Sequence, residues 1–245
     1  MIDFNGLLFD LDGTVLDTAP DFVTTINTLL KRYDRVQLDS EAVRNRVSDG
    51  SIGLLELAFN ISPTDSNFET LQSELLTIYF EHAGKKTKMF PNINEILTEC
   101  DLRTIPWGIV TNKHWLYTEL LLTRLNLIDR AHCVICSDHV KEPKPHPESL
   151  ELGIKHLGLR ADDCIYIGDH SRDILAAKNA KMRSIVAAWG YINKDEKIFS
   201  DKIAVLEQKN SLLTENIDLD FIEILIREKF LFGKEGETTY IIKYD

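Results

Sequence analysis

The chain has 245 residues, with 28 Lys and Arg against 39 Asp and Glu, a formal net charge of −11. That acidity argues against nucleic acid or an anionic membrane as partner, and no apolar run approaches the roughly 20 residues of a membrane span. A small anionic substrate is still admitted, because a bound metal and one lysine invert the local field. The start, MIDFNGLLFD, has no basic region followed by an apolar core, so a cytoplasmic location is expected. Cys100, Cys133, Cys136 and Cys164 sit in a chain large enough to fold without disulfides, so reduced thiols are expected.

Residues 6–10 read as a short buried strand that ends on Asp10, with Asp12 just beyond. Residues 20–33 have helical spacing, with Phe22, Ile26, Leu29 and Leu30 on one face and Pro20 near the start. Further helices are predicted at 40–47, 51–59 and 67–83, with Gly50 and Pro63 as breaks. Alternation then begins. Pro91 opens a helix to about residue 100, followed by strand 107–111, helix 114–125 and strand 133–136. After a Pro-rich loop come helix 147–157, strand 164–169, helix 171–180 and strand 183–189.

Such alternation indicates βαβ units and an α/β fold, a doubly wound, Rossmann-like parallel sheet. The expected division is a core of residues 1–16 and 89–205, a helical cap inserted at 17–88, and an extension at 206–245. Within that extension, 218–232 reads as an amphipathic helix and 238–244 as a strand.

Open parallel sheets bind ligands beyond the carboxyl ends of their strands. Four such ends carry chemistry here. The first brings Asp10 and Asp12, and the second Thr111 and Asn112. Lys144 lies in KEPKPHPE after the third, and Asp169 ends the fourth, with Asp173 nearby. Two acids so close together repel and are costly to desolvate, so a divalent cation is the expected compensation. Mg²⁺ takes carboxylate and phosphate oxygens. Asp10 can attack phosphorus, and Asp12 can protonate the leaving oxygen and later deprotonate water. Thr111, Lys144 and backbone N–H groups of the 11–13 turn would hold phosphate oxygens, with Gly13 allowing the tight turn.

The segments FDLDGTVLD, VTNK, KPHP and IGDHSRD resemble, in order, the four motifs of the haloacid dehalogenase superfamily of phosphohydrolases. The resemblance spans about residues 4–192, and its cap is inserted where the helical block lies. It implies Mg²⁺ and an aspartyl-phosphate intermediate. By motif position it implies Asp10 as nucleophile, Asp12 as general acid/base, Thr111 and Lys144 on phosphate, and Asp169 with Asp173 for the metal. Asp10 and Asp12 are counted with the metal-site acids. The superfamily's C–halogen hydrolases lack the second Asp, which disfavours dehalogenation. VLDTAPDF, DHVKEPKPHPESL and AAWGYI are similar to phosphoglycolate phosphatases and especially to the N-acetylmuramic acid 6-phosphate phosphatase branch. Asn92 after Pro91, and His170 in GDHSRD, depart from the usual pattern.

The resemblance therefore implies a phosphoric monoester hydrolase acting on a small phosphoester such as 2-phosphoglycolate or N-acetylmuramic acid 6-phosphate. A monomer or homodimer is expected. The rivals are a sugar phosphomutase of the β-phosphoglucomutase type and a non-catalytic phospho-acceptor module. Substrate choice should fall to the cap, where VSDGS places Ser48 and Gly50 between helices and Arg44 could meet a substrate carboxylate. Arg44 weighs slightly more as a surface arginine, and His170 equally as a substrate contact or a rim residue. His132, Cys133, Cys136 and His139 invite a zinc reading, but a strand turns Cys133 and Cys136 to opposite faces, so buried thiols are favoured.

Overall fold

The computed structural model describes residues 4–191 and 230–232. The strands β1 (Gly6–Phe9), β4 (Trp107–Val110), β5 (Cys133–Ile135), β6 (Cys164–Gly168), β7 (Arg183–Ala187) and β8 (Phe230–Phe232) form one sheet. Their order is β5-β4-β1-β6-β7-β8. All pairings are parallel except β7 with β8. Every residue of β1, β4 and β6 is buried, as a parallel sheet covered on both faces requires.

Strand alternation divides the core in two. Leu7, Phe9, Trp107, Ile109, Ile165 and Ile167 face one cluster, shared with α5 (Ile93–Leu102) and α6 (Trp115–Arg124). Leu8, Val110 and Tyr166 face the other, shared with α7 (Glu148–Leu157) and α8 (Ser171–Asn179). The same alternation sends Tyr166 under the sheet's loaded edge rather than into the larger cluster.

Between β1 and β4 the chain forms α1 (Ala19–Arg32), α2 (Ser40–Arg44), α3 (Gly50–Phe59) and α4 (Phe68–His82). Phe22 of α1 stacks on Tyr79 of α4 with ring centroids 4.2 Å apart. The two chain passes joining this block to the sheet pair as an antiparallel ribbon, β2 (Leu16–Asp17) with β3 (Lys88–Met89). Neither short strand carries enough periodicity to be read beforehand. Asp21, buried on α1, ties the returning pass down. Its carboxylate accepts from the backbone N–H of Gly84 (2.7 Å), Lys86 (2.8 Å) and Thr87 (3.1 Å) and from the Thr87 hydroxyl (2.5 Å).

One expectation is corrected. Residues 230–232, read as the end of a helix, form β8, because Phe230, Leu231 and Phe232 pair with Ala187, Val186 and Ile185 at the sheet edge. The rest of that expected helix and the expected strand at 238–244 lie outside the described residues.

Candidate active site

The ladder continues past β1 and β4 and fixes two side chains at the rim. Asp10 N–H donates to Ile167 carbonyl (2.8 Å), and Thr111 N–H to Ile135 carbonyl (2.9 Å). Gly13 then turns the chain with φ +85°, and a Cβ there would run into the Asp169 carboxylate. Asp169 follows β6 and accepts from Tyr191 N–H (2.7 Å) and Thr14 hydroxyl (3.3 Å). Asp173, in the first turn of α8, accepts from His170 N–H (3.0 Å). Asp10, Asp169 and Asp173 thereby bring carboxylate oxygens within 4.8 Å of one another, all buried.

Lys144 enters this cluster from the opposite side. Its Nζ lies 2.8 Å from Asp10 Oδ1, 2.7 Å from Asp173 Oδ1 and 2.7 Å from the Tyr166 hydroxyl. The Tyr166 hydroxyl itself donates to the Val110 carbonyl, 2.9 Å away. All three ammonium protons thus have protein acceptors. In this geometry the lysine orients and balances two acids. Asn112, expected on substrate, clamps the Lys144 backbone, donating to its carbonyl (2.8 Å) and accepting from its N–H (3.0 Å).

Burial raises the Asp10 carboxyl to about 6, with Lys144 partly offsetting and Asp173 adding to the rise. Burial, then Asp10 and Asp173, push Asp169 well above the ordinary range. Burial also raises Asp173, but Lys144 more than reverses that, and the net direction is down. For Lys144, burial lowers and its two carboxylate partners raise, and the net direction is up. Ionising all three carboxylates against one ammonium would leave two negative charges to be balanced in a buried pocket of hard oxygens. A divalent cation such as Mg²⁺ fits that donor set.

Asp12 departs from the expected metal group. Its carboxylate lies outside the three-acid cluster and binds Lys113 Nζ (2.9 and 3.0 Å) and the Thr18 hydroxyl (2.5 Å). The turn at 11–14 separates the two acids, and Asp12 is the smallest of the influences on Asp10. Sequence reading passed over Lys113 although it ends VTNK. Its ammonium also lies 4.9 Å from the ring centroids of both Phe22 and Tyr79.

A cavity of about 540 Å³ opens over these groups, lined on the sheet side by Asp10, Asp12, Thr111, Asn112, Lys113 and Lys144. Ser48 and Gly50 line its other side, as expected for a substrate-facing segment. Arg44 and His170 are not among its lining residues. Arg44 is held by both oxygens of Asp17 (2.8 and 3.0 Å) and lies over the Tyr191 ring at 4.7 Å. His170 caps α8, its Nδ1 accepting from Arg172 N–H at 3.2 Å. The four cysteines are buried and free, and the three-acid group is the one candidate metal cluster found among the described residues.

Residues 7–187 match the family model of the haloacid dehalogenase-like hydrolases. The chain belongs to that family. Among curated proteins, this hydrolase is 35% identical over 191 residues to an N-acetylmuramic acid 6-phosphate phosphatase of Pseudomonas putida, covering 78% of this chain and 86% of that one. It is 36% identical over 210 residues to a phosphoglycolate phosphatase of Xanthomonas campestris pv. campestris, covering 86% and 95%. Its fold matches the crystal structure of a predicted phosphoglycolate phosphatase from Haemophilus somnus at a TM-score of 0.70 and 24% identity, covering 78% and 88%. The enzyme class expected from the motifs, a phosphoric monoester hydrolase, agrees with its relatives. No helix among the described residues is long and apolar enough to cross a membrane.

Proposed function

We propose that this hydrolase removes phosphate from a small carboxylated metabolite in the cytoplasm, using Mg²⁺ and an aspartyl-phosphate intermediate. The observation that carries this is the buried group of Asp10, Asp169, Asp173 and Lys144 beneath the cavity. A divalent cation held by the three carboxylates would screen the repulsion between Asp10 and an incoming phosphate.

Asp10 attacks phosphorus in line while Asp12, reaching the same cavity, protonates the departing alkoxide. Asp12 then takes a proton from the water that attacks the phospho-Asp10 phosphorus, releasing phosphate and restoring the carboxylate. Thr111, buried at the cavity floor, supplies a hydroxyl to a phosphate oxygen. Lys144 keeps Asp10 ionised and aimed. The helical block at 17–88 acts as the cap that closes over substrate, hinged at the β2–β3 ribbon.

Two candidate substrates are 2-phosphoglycolate and N-acetylmuramic acid 6-phosphate. The cavity volume of about 540 Å³, with Phe22, Ile52, Leu75, Tyr79 and Tyr117 among its walls, exceeds what a two-carbon phosphoacid occupies and favours the sugar phosphate. The test is phosphate release from both compounds and from common sugar phosphates, with Mg²⁺ and with a chelator. Metal-dependent release with the highest kcat/KM on N-acetylmuramic acid 6-phosphate is expected. Isomerisation of a sugar phosphate without net phosphate release would favour the mutase, and failure to release phosphate from any ester would sink the reading.

A further inference from the structure

We infer that Arg172 is a specificity-determining residue that binds the substrate's carboxylate within the cavity that Asp10 also lines. The inference rests on the phosphatase reading above.

Arg172, Lys113 and Lys144 all line the cavity. Lys144 is paired with Asp10 and Asp173, and Lys113 with Asp12. Arg172 has no carboxylate partner within ion-pair distance among the described residues. Its guanidinium donates through Nη2 to the Ser48 carbonyl, a neutral acceptor on the turn Val47–Asp49. Nε and Nη1 keep their protons for another acceptor. Its charge acts through space on the adjacent Asp173, which is already paired with Lys144. A half-buried guanidinium with spare donors and no carboxylate in contact with it is suited to a planar, doubly accepting anion.

The surroundings agree. The Ser48 hydroxyl is buried without a hydrogen-bond partner and its residue lines the same cavity. Gly50 and Ser51 also line it, at the start of α3, where no side chain caps the helix. The one acid of this segment, Asp49, is answered by Arg46 Nη1 at 3.2 Å. Arg172 directly precedes Asp173 in α8, and successive helical residues diverge by about 100°. One face of the helix therefore serves the acid cluster and the next serves the cavity. Arg44, the arginine first expected on the carboxylate, is already bound to Asp17.

Matched substrates test this. N-acetylmuramic acid 6-phosphate is compared with the same sugar phosphate lacking the lactyl ether, and 2-phosphoglycolate with ethyl phosphate. Wild type is expected to prefer the carboxylated member of each pair. In Arg172→Gln the ratio of kcat/KM within a pair should fall about 10- to 100-fold, chiefly through KM, as for loss of a hydrogen bond to a charged group. Arg172→Lys, which keeps the charge and loses the fork, should fall between, and it reads the same ratio if the Gln variant folds poorly. An unchanged ratio in these variants, or an equal loss on both members, would overturn the inference. Wild-type hydrolysis without preference for the carboxylated member would overturn it and leave the phosphatase reading intact. Absence of hydrolysis of any ester would instead remove the phosphatase reading, and this inference with it.

Discussion

The Nζ of Lys113 stands 2.9 and 3.0 Å from the two carboxylate oxygens of Asp12, with both side chains facing the cavity. This pair fixes the carboxylate proposed to handle the leaving-group proton. Replacing Lys113 by Met keeps the stem against Phe22 and Tyr79 and deletes the charge. The expected result is a fall in kcat of about tenfold or more, the usual scale for a misplaced acid–base group. Steady-state kinetics check it, and an unchanged kcat would show that Asp12 needs no such partner.

Proton and metal should compete at Asp10. Burial, with Lys144 partly opposing it, holds this carboxyl at about 6 in the metal-free protein, above its ordinary value of 3.8. The folded state then binds more protons than the unfolded one between those two values. Asp10's contribution to stability is present at low pH and lost as pH rises through about 6. Asp169 shifts in the same direction. Metal binding needs the ionised carboxylates. The rise in melting temperature caused by Mg²⁺ should therefore be larger at about pH 7.5 than at about pH 5. Equal shifts at the two pH values would contradict the proposed cation site.

Asp21 is expected to act on stability, through the chain pass at 84–87 rather than the chemistry. Its carboxylate serves three backbone N–H groups and one hydroxyl of residues 84–87. Asp21→Ala leaves those donors buried or facing solvent poorly, at a cost of about 3 kcal/mol. Urea unfolding measures this, and a loss under about 0.5 kcal/mol would show that the β2–β3 ribbon holds without it.

The thiols should be inert in the folded protein. Burial pushes Cys100, Cys133 and Cys136 up to about 12 and Cys164 to about 11. Thiolate is therefore scarce near neutral pH. A disulfide reagent should label all four cysteines only on denaturation. Rapid labelling of the native protein would contradict their burial.

The rim chemistry was legible because short motifs stand at strand ends, where the chain must deliver side chains to one edge. Asp10, Thr111, Lys144, Asp169 and Asp173 could be placed in that way from spacing and resemblance. What escaped was set by three-dimensional partnership. Tyr166 is an unremarked position inside a buried strand until alternation aims its hydroxyl at Lys144. Arg44 and Arg172 are both arginines near a candidate loop, and only the position of Asp17 shows which one is already paired. The clamp of Asn112 on the Lys144 backbone escaped because the folding of the 136–147 loop onto it leaves no trace in local sequence. Residues 230–232 have the apolar content of a buried helix, and it is the exposed edge of β7 that makes them a strand.

The most direct test of Asp10 as nucleophile is to quench a reaction with N-acetylmuramic acid 6-phosphate or 2-phosphoglycolate in acid and map phosphate on the protein by mass spectrometry. Phosphate on Asp10, present with Mg²⁺ and lost with chelator or in Asp10→Asn, is predicted. Turnover with phosphate on another residue, or Asp10→Asn retaining near wild-type activity, would contradict it.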